Sequence, residues 1–253
     1  MEHIVSLEKK NGTRLNKAVA RTGYCSRRKA DELIFAGRVL VNGCEEKNFG
    51  RHVLPDDVIT ADDCVLDAGK PRFYLLLNKP VQVVCTMHDP QGRPTVVDCL
   101  PQNLADQRLY PVGRLDYFSE GLLLLTNDGE LAHRLMHPGH HQLKKYAVLV
   151  RGEVNPASLR AMRSGMRLAE GEKILPVDVE QEVSGGGNTL LTMSLGQGVN
   201  RQIRRMCRDL GLTILRLKRT AQGILSLGDL PPGHSRLLDR SEAAALRESV
   251  SLT

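Results

Sequence analysis

One short apolar run constrains the fold of this chain more than any other stretch. Residues 121–125 (GLLLL) lie between the corner at 113–116 (GRLD) and the polar segment at 126–129 (TNDG). This pattern predicts a loop, then a buried strand, then a tight Asp-Gly turn into a helix. Asp116 would lie at the mouth of the buried strand, where a carboxylate is well placed for chemistry. The alternative is a surface-turn aspartate that caps a neighbouring amide.

The composition indicates a soluble globular protein. Of 253 residues, 41% are hydrophobic and 25% are charged, which is ordinary for globular chains and gives enough length for one large domain or two. No apolar run approaches the roughly 18 residues that span a bilayer, and the first ten residues lack the apolar segment of a secretory signal. We therefore expect a cytoplasmic protein without a membrane anchor.

The cysteines and histidines do not predict a metal site. The six cysteines are at least fourteen positions apart, so neither a zinc ribbon nor a redox dithiol is expected, and we interpret them as small buried residues. His133 and His137 have helical spacing, with His140 and His141 beyond, but no acidic HExxH element accompanies them. Arg201 occupies the third glycine position of a dinucleotide fingerprint begun by residues 196–198, which excludes that motif.

The net charge of +6 is concentrated in two stretches. Residues 14–38 carry seven basic and two acidic side chains, and residues 201–219 carry seven basic and one acidic. The rest of the chain is therefore net negative. Two basic surfaces on a mildly acidic body favour a polyanion as partner. A solvated charged face without a partner is the alternative.

Residues 14–61 are predicted to form a compact α/β module. Helical spacing follows Thr13, and Ser26 is a plausible N-cap for a second helix that Gly37 closes. A strand then enters a hairpin turn at residues 42–43 (NG), and Val58 and Ile59 begin a later strand.

The second helix of this module starts with Arg27, Arg28 and Lys29. The helix dipole disfavours cations in the first turn by roughly 0.3–1 kcal/mol each. Residues that depart from such a local preference tend to belong to a functional site. We therefore predict that these three side chains bind the phosphate backbone of RNA or DNA.

A linker at 62–72 is expected to lead into a larger α+β domain at 73–253. Strands and helices alternate there without a regular βαβ rhythm, which favours a mixed, mainly antiparallel sheet flanked by helices. Residues 73–86 are interpreted as two strands joined through residues 78–80. Residues 184–187 (SGGG) are predicted to turn between two further strands.

The predicted helix at 201–210 has two opposed faces. Its apolar face contains Ile203, Met206, Cys207 and Leu210. The face about 200° away contains Arg201, Arg204, Arg205 and Arg208. Arginine suits forked contacts with phosphate or carboxylate.

Four of these segments together resemble a known family. Residues 14–43 resemble the alpha-L RNA-binding module first recognised in a ribosomal small-subunit protein. Residues 112–138, 144–150 and 196–206 resemble the three motifs of the ribosomal-RNA pseudouridine synthases that carry this module at their N-terminus. The segments occur in the right order and cover residues 14 to about 240, so the resemblance is specific.

The resemblance implies that the protein isomerises one flipped-out uridine of ribosomal RNA to pseudouridine without cofactor or metal. It implies ribosomal RNA or a ribosomal-subunit precursor as partner and a monomeric enzyme. The form of residues 200–206 (NRQIRRM) favours large-subunit RNA. Asp116 matches the essential aspartate, Tyr146 the tyrosine that stacks on the target base, and Arg204 the basic residue paired with the aspartate. The implied substrate-binding residues are Arg114, Leu115, Leu195, Arg201 and Arg205, together with Arg27, Arg28 and Lys29.

The reaction needs one ionised carboxylate. Asp116 could attack C1′ or take a proton from C2′, and both roles remain open. A dry pocket would raise the pKa of Asp116, and an arginine within reach would keep it charged. Two rival functions also remain: a non-catalytic RNA-binding or ribosome-assembly factor, and the same chemistry on transfer RNA. Tyr117 and Phe118 follow the aspartate where more polar residues are expected, which leaves the contacts to flanking nucleotides open.

Overall fold

The computed structural model describes residues 12–48, 50–67, 69, 71–137, 139 and 142–252. The chain forms two compact units, Met1–Arg72 and Phe73–Thr253.

The described residues of the first unit form two helices and six short strands. The helices are α1 (Leu15–Arg21) and α2 (Arg27–Phe35). The strands are β1 (Thr13–Arg14), β2 (Val39–Val41), β3 (Cys44–Glu45), β4 (His52–Val53), β5 (Ile59–Ala61) and β6 (Cys64–Val65). Among the described residues, β3, β2, β5 and β6 form one sheet in that order, and β1 pairs with β4.

Local sequence explains these elements. The Ser26 side chain accepts a hydrogen bond from Lys29 N at 3.1 Å, which confirms the predicted cap of α2. Asn42 and Gly43 have φ values of 53° and 81°, as the tight hairpin turn between β2 and β3 requires. Leu15, Val19, Leu33 and Ile34 are buried against the small sheet.

The second unit is built on one large sheet. Its strands are β7 (Tyr74–Lys79), β8 (Tyr110–Pro111), β9 (Glu120–Thr126), β10 (Lys144–Val150), β11 (Met166–Arg167), β12 (Lys173–Ile174), β13 (Asp178–Ser184), β14 (Asn188–Leu195), β15 (Ile214–Gln222), β16 (Leu225–Ser226) and β17 (Ser235–Leu237). The described part of the sheet has the order β13-β14-β10-β15-β9-β7-β17. β16 pairs with β15 and β8 with β9, while β11 and β12 form a separate hairpin. The named strands of the sheet pair antiparallel except β9 and β15, which are parallel.

In the part of the unit that the structure describes, four α-helices accompany this sheet: α3 (Gly129–Met136), α4 (Pro156–Ser164), α5 (Gln202–Asp209) and α6 (Arg240–Glu248). β7 and β9 are buried along their whole length. Alternate residues of a strand point to opposite faces, so Leu122 and Leu124 join a cluster with α3 and α6, and Leu123 and Leu125 join a cluster on the other face. The predicted buried strand and the mixed α+β fold are confirmed.

The predicted second strand at 81–86 is wrong. After β7 the chain turns at Pro80, and Val84 makes an isolated bridge to Thr95. The Lys79 side chain donates to the carbonyl oxygens of Pro80 and Val83 at 2.7 and 2.9 Å. These bonds hold the segment as a loop folded around the end of β7.

The cysteines are less uniformly buried than the sequence suggests. Cys25 and Cys207 are buried, but Cys44 and Cys64 are exposed. The last two lie on the outer strands of the small sheet, where outward side chains have no covering layer.

Candidate active site

Asp116 lies in the loop between β8 and β9. The Ser119 amide donates to the Asp116 carbonyl oxygen at 3.0 Å and closes the turn before β9. Leu115 is buried, and its amide donates to Cys85 Sγ at 3.3 Å, while Arg114 is exposed. The Asp116 side chain is 35% exposed. A substrate can therefore reach a carboxylate whose backbone is held on both sides.

Arg204 connects this carboxylate to the loop. Its Nε lies 3.4 Å from Asp116 Oδ2, and its Nη2 donates to Phe118 O at 2.7 Å and Ser119 Oγ at 3.0 Å. Arg204 projects from α5, whose opposite face is buried through Ile203 and neighbouring residues. The Arg204 side chain is 20% exposed. One guanidinium thus contacts both the Asp116 carboxylate and the backbone of the loop that carries it.

The pairing of three strands places Tyr146 level with Gly121, at the start of the strand that follows the Asp116 loop. Tyr146 on β10 is the register partner of Arg219 on β15, and Arg219 is the partner of Gly121 on β9. Register partners share a face of the sheet. Tyr146 is half-buried and packs against the core cluster that contains Leu195 and Met193. Leu195 itself is buried at the end of β14, opposite Lys144.

β9 and β15 approach very closely at Gly121. This residue has a φ of 106°, and a Cβ atom there would overlap the backbone of Arg219. Glycine is therefore required on both conformational and steric grounds. Arg219 is buried, and its Nε donates to Leu122 O at 2.8 Å. This bond joins the two strands just beyond the close contact.

Lys79 is a buried basic residue near the site that the sequence pattern did not predict. It ends β7 and is fully buried. Burial lowers the pKa of Lys79, while nearby Cys85, Cys99, Asp116 and Glu120 oppose that shift. A lysine at the end of a strand that begins with four apolar residues (YLLL), directly before a proline, was the available signal. Its ammonium adds positive charge around the Asp116 carboxylate.

The four arginines that helical spacing placed on one face differ in their exposure and in their ion pairs. Arg201 precedes the helix in a left-handed conformation (φ 51°) and is exposed. Arg205 is only 15% exposed and pairs with Glu170 at 3.0 Å and also with Glu172. Arg208 pairs with Glu170 and Asp209, both at 2.7 Å. Acids near the β11–β12 hairpin thus partly neutralise this face, and these contacts lower the pKa of Glu170 to about 2.

The predicted phosphate-binding corner consists of Arg27, Arg28 and Lys29 and lies at the start of α2 in the first unit. Arg27 and Arg28 are exposed at the first turn of α2. Lys29 is exposed as well, but its Nζ pairs with Glu32 at 2.8 Å. The two arginines are therefore the more available anion-binding groups of the corner.

His133 lies in the last turn of α3 and His137 directly follows the helix. The rings of His133 and His137 are tilted, with centroids 5.9 Å apart, and His140 and His141 lie outside the described residues. Within the described ranges, no three His, Cys, Asp or Glu side chains are grouped as a metal site would require. None of the helices in the same ranges has the length and apolar character that crossing a membrane would need.

The sequence matches two described families. Residues 73–209 match the RNA pseudouridylate synthase family, and residues 13–59 match the S4 domain. An uncharacterized RNA pseudouridine synthase of Aquifex aeolicus is 39% identical over 241 residues, which cover 94% of this chain and 95% of that protein.

A second relative and one solved structure agree. The ribosomal large subunit pseudouridine synthase B of Bacillus subtilis is 39% identical over 240 residues, which cover 92% of this chain and 95% of that protein. A crystal structure of a pseudouridylate synthase superposes with a TM-score of 0.64 at 31% identity, covering 92% of this chain and 99% of that one. The chain, with its S4 domain, therefore belongs to the RNA pseudouridylate synthase family.

Proposed function

We propose that this pseudouridine synthase acts on a specific uridine of large-subunit ribosomal RNA and that Asp116 is its catalytic carboxylate. The observation that carries the proposal is the accessible Asp116 side chain with the Arg204 guanidinium 3.4 Å away. An RNA-binding surface alone has no use for a carboxylate beside a polyanion. The name of the Bacillus subtilis relative supports large-subunit RNA as the substrate.

The reaction is a net isomerisation. The N1–C1′ bond of the uridine breaks, the freed uracil turns, and C5 bonds to C1′. The proton lost from C5 balances the one gained at N1. Asp116 either attacks C1′ or takes the C2′ proton, and both routes need the ionised carboxylate. Arg204 stabilises that ion and fixes the loop through Phe118 and Ser119.

The remaining site residues have binding roles in this proposal. Tyr146 offers a flat face to the uridine after it leaves the RNA stack. Leu195 contributes an apolar wall, and Leu115 holds the loop through Cys85. Arg114 and Arg201 are exposed and available to phosphates. Arg205 acts mainly by fixing α5 through Glu170 and Glu172.

The test is to map pseudouridine with the Asp116→Asn variant. Asparagine keeps the shape of the side chain but removes its charge. We expect Asp116→Asn to bind ribosomal RNA normally and to give no carbodiimide-dependent reverse-transcription stop at the target. The matched control is Asp106→Asn, because Asp106 is exposed on the 3-10 helix Gln102–Gln107. Retained modification by Asp116→Asn would refute the catalytic assignment.

The identity of the substrate is tested by mapping pseudouridine in all RNA from cells with and without the gene. Loss of a pseudouridine from large-subunit ribosomal RNA supports the proposal, and loss from transfer RNA alone would overturn it. The reaction should also survive treatment with EDTA, since the proposed chemistry needs no metal ion.

A further inference from the structure

Phe118 is an exposed aromatic residue beside the proposed catalytic carboxylate. Its side chain is 63% exposed, and its ring meets Tyr117 edge-on, with centroids 5.0 Å apart and an interplanar angle of 79°. An edge-to-face contact covers at most one face of a ring, so Tyr117 leaves at least one face of Phe118 uncovered. The loop thus presents a flat apolar surface to solvent two residues after Asp116.

The position of Phe118 relative to Asp116 is fixed by a shared guanidinium. Arg204 Nη2 donates to Phe118 O at 2.7 Å, and Nε of the same side chain lies 3.4 Å from Asp116 Oδ2. Nη2 also donates to Ser119 Oγ at 3.0 Å. The backbone that carries the exposed ring is therefore anchored to the group that holds the carboxylate.

Tyr117, which contacts Phe118, is itself held by a backbone hydrogen bond and by a nearby guanidinium. Its carbonyl oxygen accepts from the Gln82 amide at 2.7 Å. The Arg93 guanidinium lies 5.9 Å from the centre of its ring, within the range of a cation–π contact. Arg93 makes a forked contact with Asp89 at 3.0 and 2.8 Å. The two aromatic side chains therefore form a pre-ordered platform.

We propose that Phe118 stacks on the base of a nucleotide that neighbours the target uridine in the RNA. The inference rests on the proposed function, because a flipped uridine leaves its neighbours without a stacking partner. An aromatic ring can replace that partner whatever the base, since every base has a π-face. Phe118 is then a positioning residue that holds the RNA in register with Asp116. If this aromatic surface instead bound an unrelated protein, substitution of residue 118 would leave RNA binding unchanged.

Fluorescence tests the contact directly, because the chain contains no tryptophan. Phe118→Trp introduces a single reporter at the platform, and stacking on a base is expected to quench it. The probe is large-subunit ribosomal RNA transcribed in vitro. Val183→Trp is the control, since Val183 is 89% exposed on β13. Quenching in Phe118→Trp but not in Val183→Trp supports the proposal. Equal responses of the two variants, or none from Phe118→Trp, would overturn it.

A second measurement separates stacking from fold effects. Loss of one stacked base corresponds to about a 5- to 150-fold rise in the RNA dissociation constant, that is, about 1–3 kcal/mol. We expect this rise for Phe118→Ala, with KM for modification rising more than kcat falls, and recovery in Phe118→Tyr. An unchanged dissociation constant in a folded Phe118→Ala protein would overturn the inference. Absence of any pseudouridine with the wild-type protein would instead contradict the proposed function, while RNA would still quench the fluorescence of Phe118→Trp.

Discussion

Arg204 Nε lies 3.4 Å from Asp116 Oδ2, although the two residues come from motifs far apart in the sequence. The same guanidinium also donates to Phe118 O and Ser119 Oγ. A single side chain therefore supplies the counter-charge of the carboxylate and defines the shape of the loop that carries it. The second function depends on the forked geometry, so a point charge in place of the guanidinium satisfies only the first.

We expect Arg204→Gln to lower the single-turnover rate by about 10²–10³-fold, comparable to the loss of one preorganised donor in other enzymes. Arg204→Lys should lie between this variant and the wild type, because it retains the charge without the fork. The matched control is Arg160→Gln, which removes an exposed arginine from α4. Equal rates for Arg204→Gln and the control would show that the ion pair is not part of the catalytic site.

Gly121→Ala should destabilise the second unit. The new Cβ would overlap the Arg219 backbone, and the φ of 106° disfavours alanine. Overpacking of this kind costs about 1–3 kcal/mol, and backbone strain adds to it. Urea denaturation measures the loss. Gly185→Ala is the control, because no neighbouring atom lies within 4 Å of its Cβ position; a similar midpoint for both variants would contradict the steric argument.

The contacts of Glu170 should give a pH-dependent stability. Hydrogen bonds from Arg208 and then Arg205 lower the pKa of Glu170 to about 2, below the usual value near 4.3. Between these values the unfolded chain binds more protons, so stability falls as the pH falls through this window. The difference in urea midpoint between wild type and Glu170→Gln should be largest near pH 7 and shrink toward pH 3. Glu153→Gln, at an exposed site, should show no such trend.

The S4 domain offers a salt-dependence test. Replacing Arg27, Arg28 and Lys29 with alanine should weaken RNA binding and reduce the slope of log K against log salt by up to about three units, if each side chain neutralises one phosphate. Lys29 should contribute least, because it already pairs with Glu32. Binding measured at several salt concentrations gives the slope, and an identical slope would remove this corner from the interface.

The sequence predicted the elements whose patterns are local. The apolar run predicted β9, the glycines at 185–187 predicted the turn from β13 to β14, and Ser26 predicted the start of α2. The loop after Pro80 was missed because its shape depends on bonds from the buried Lys79 ammonium.

The neutralised arginines could not be foreseen from helical spacing. A helical wheel shows which residues of α5 share a face, but not what lies opposite that face. Glu170 and Glu172 reach Arg205 only after more than thirty intervening residues have folded. Contacts of this range depend on tertiary packing, which single-sequence periodicity does not encode.

The pairing of β7 with β17 sets an order for folding during synthesis. β7 opens the second unit, yet its outer edge is covered by Ser235–Leu237, and Arg247 near the end of the chain contacts the buried Asp128. On a translating ribosome these partners emerge well after β7 and Asp128, whereas the first unit closes on contacts made within its own residues. The small domain can therefore fold early. The second unit completes these contacts only after Arg247 has left the exit tunnel.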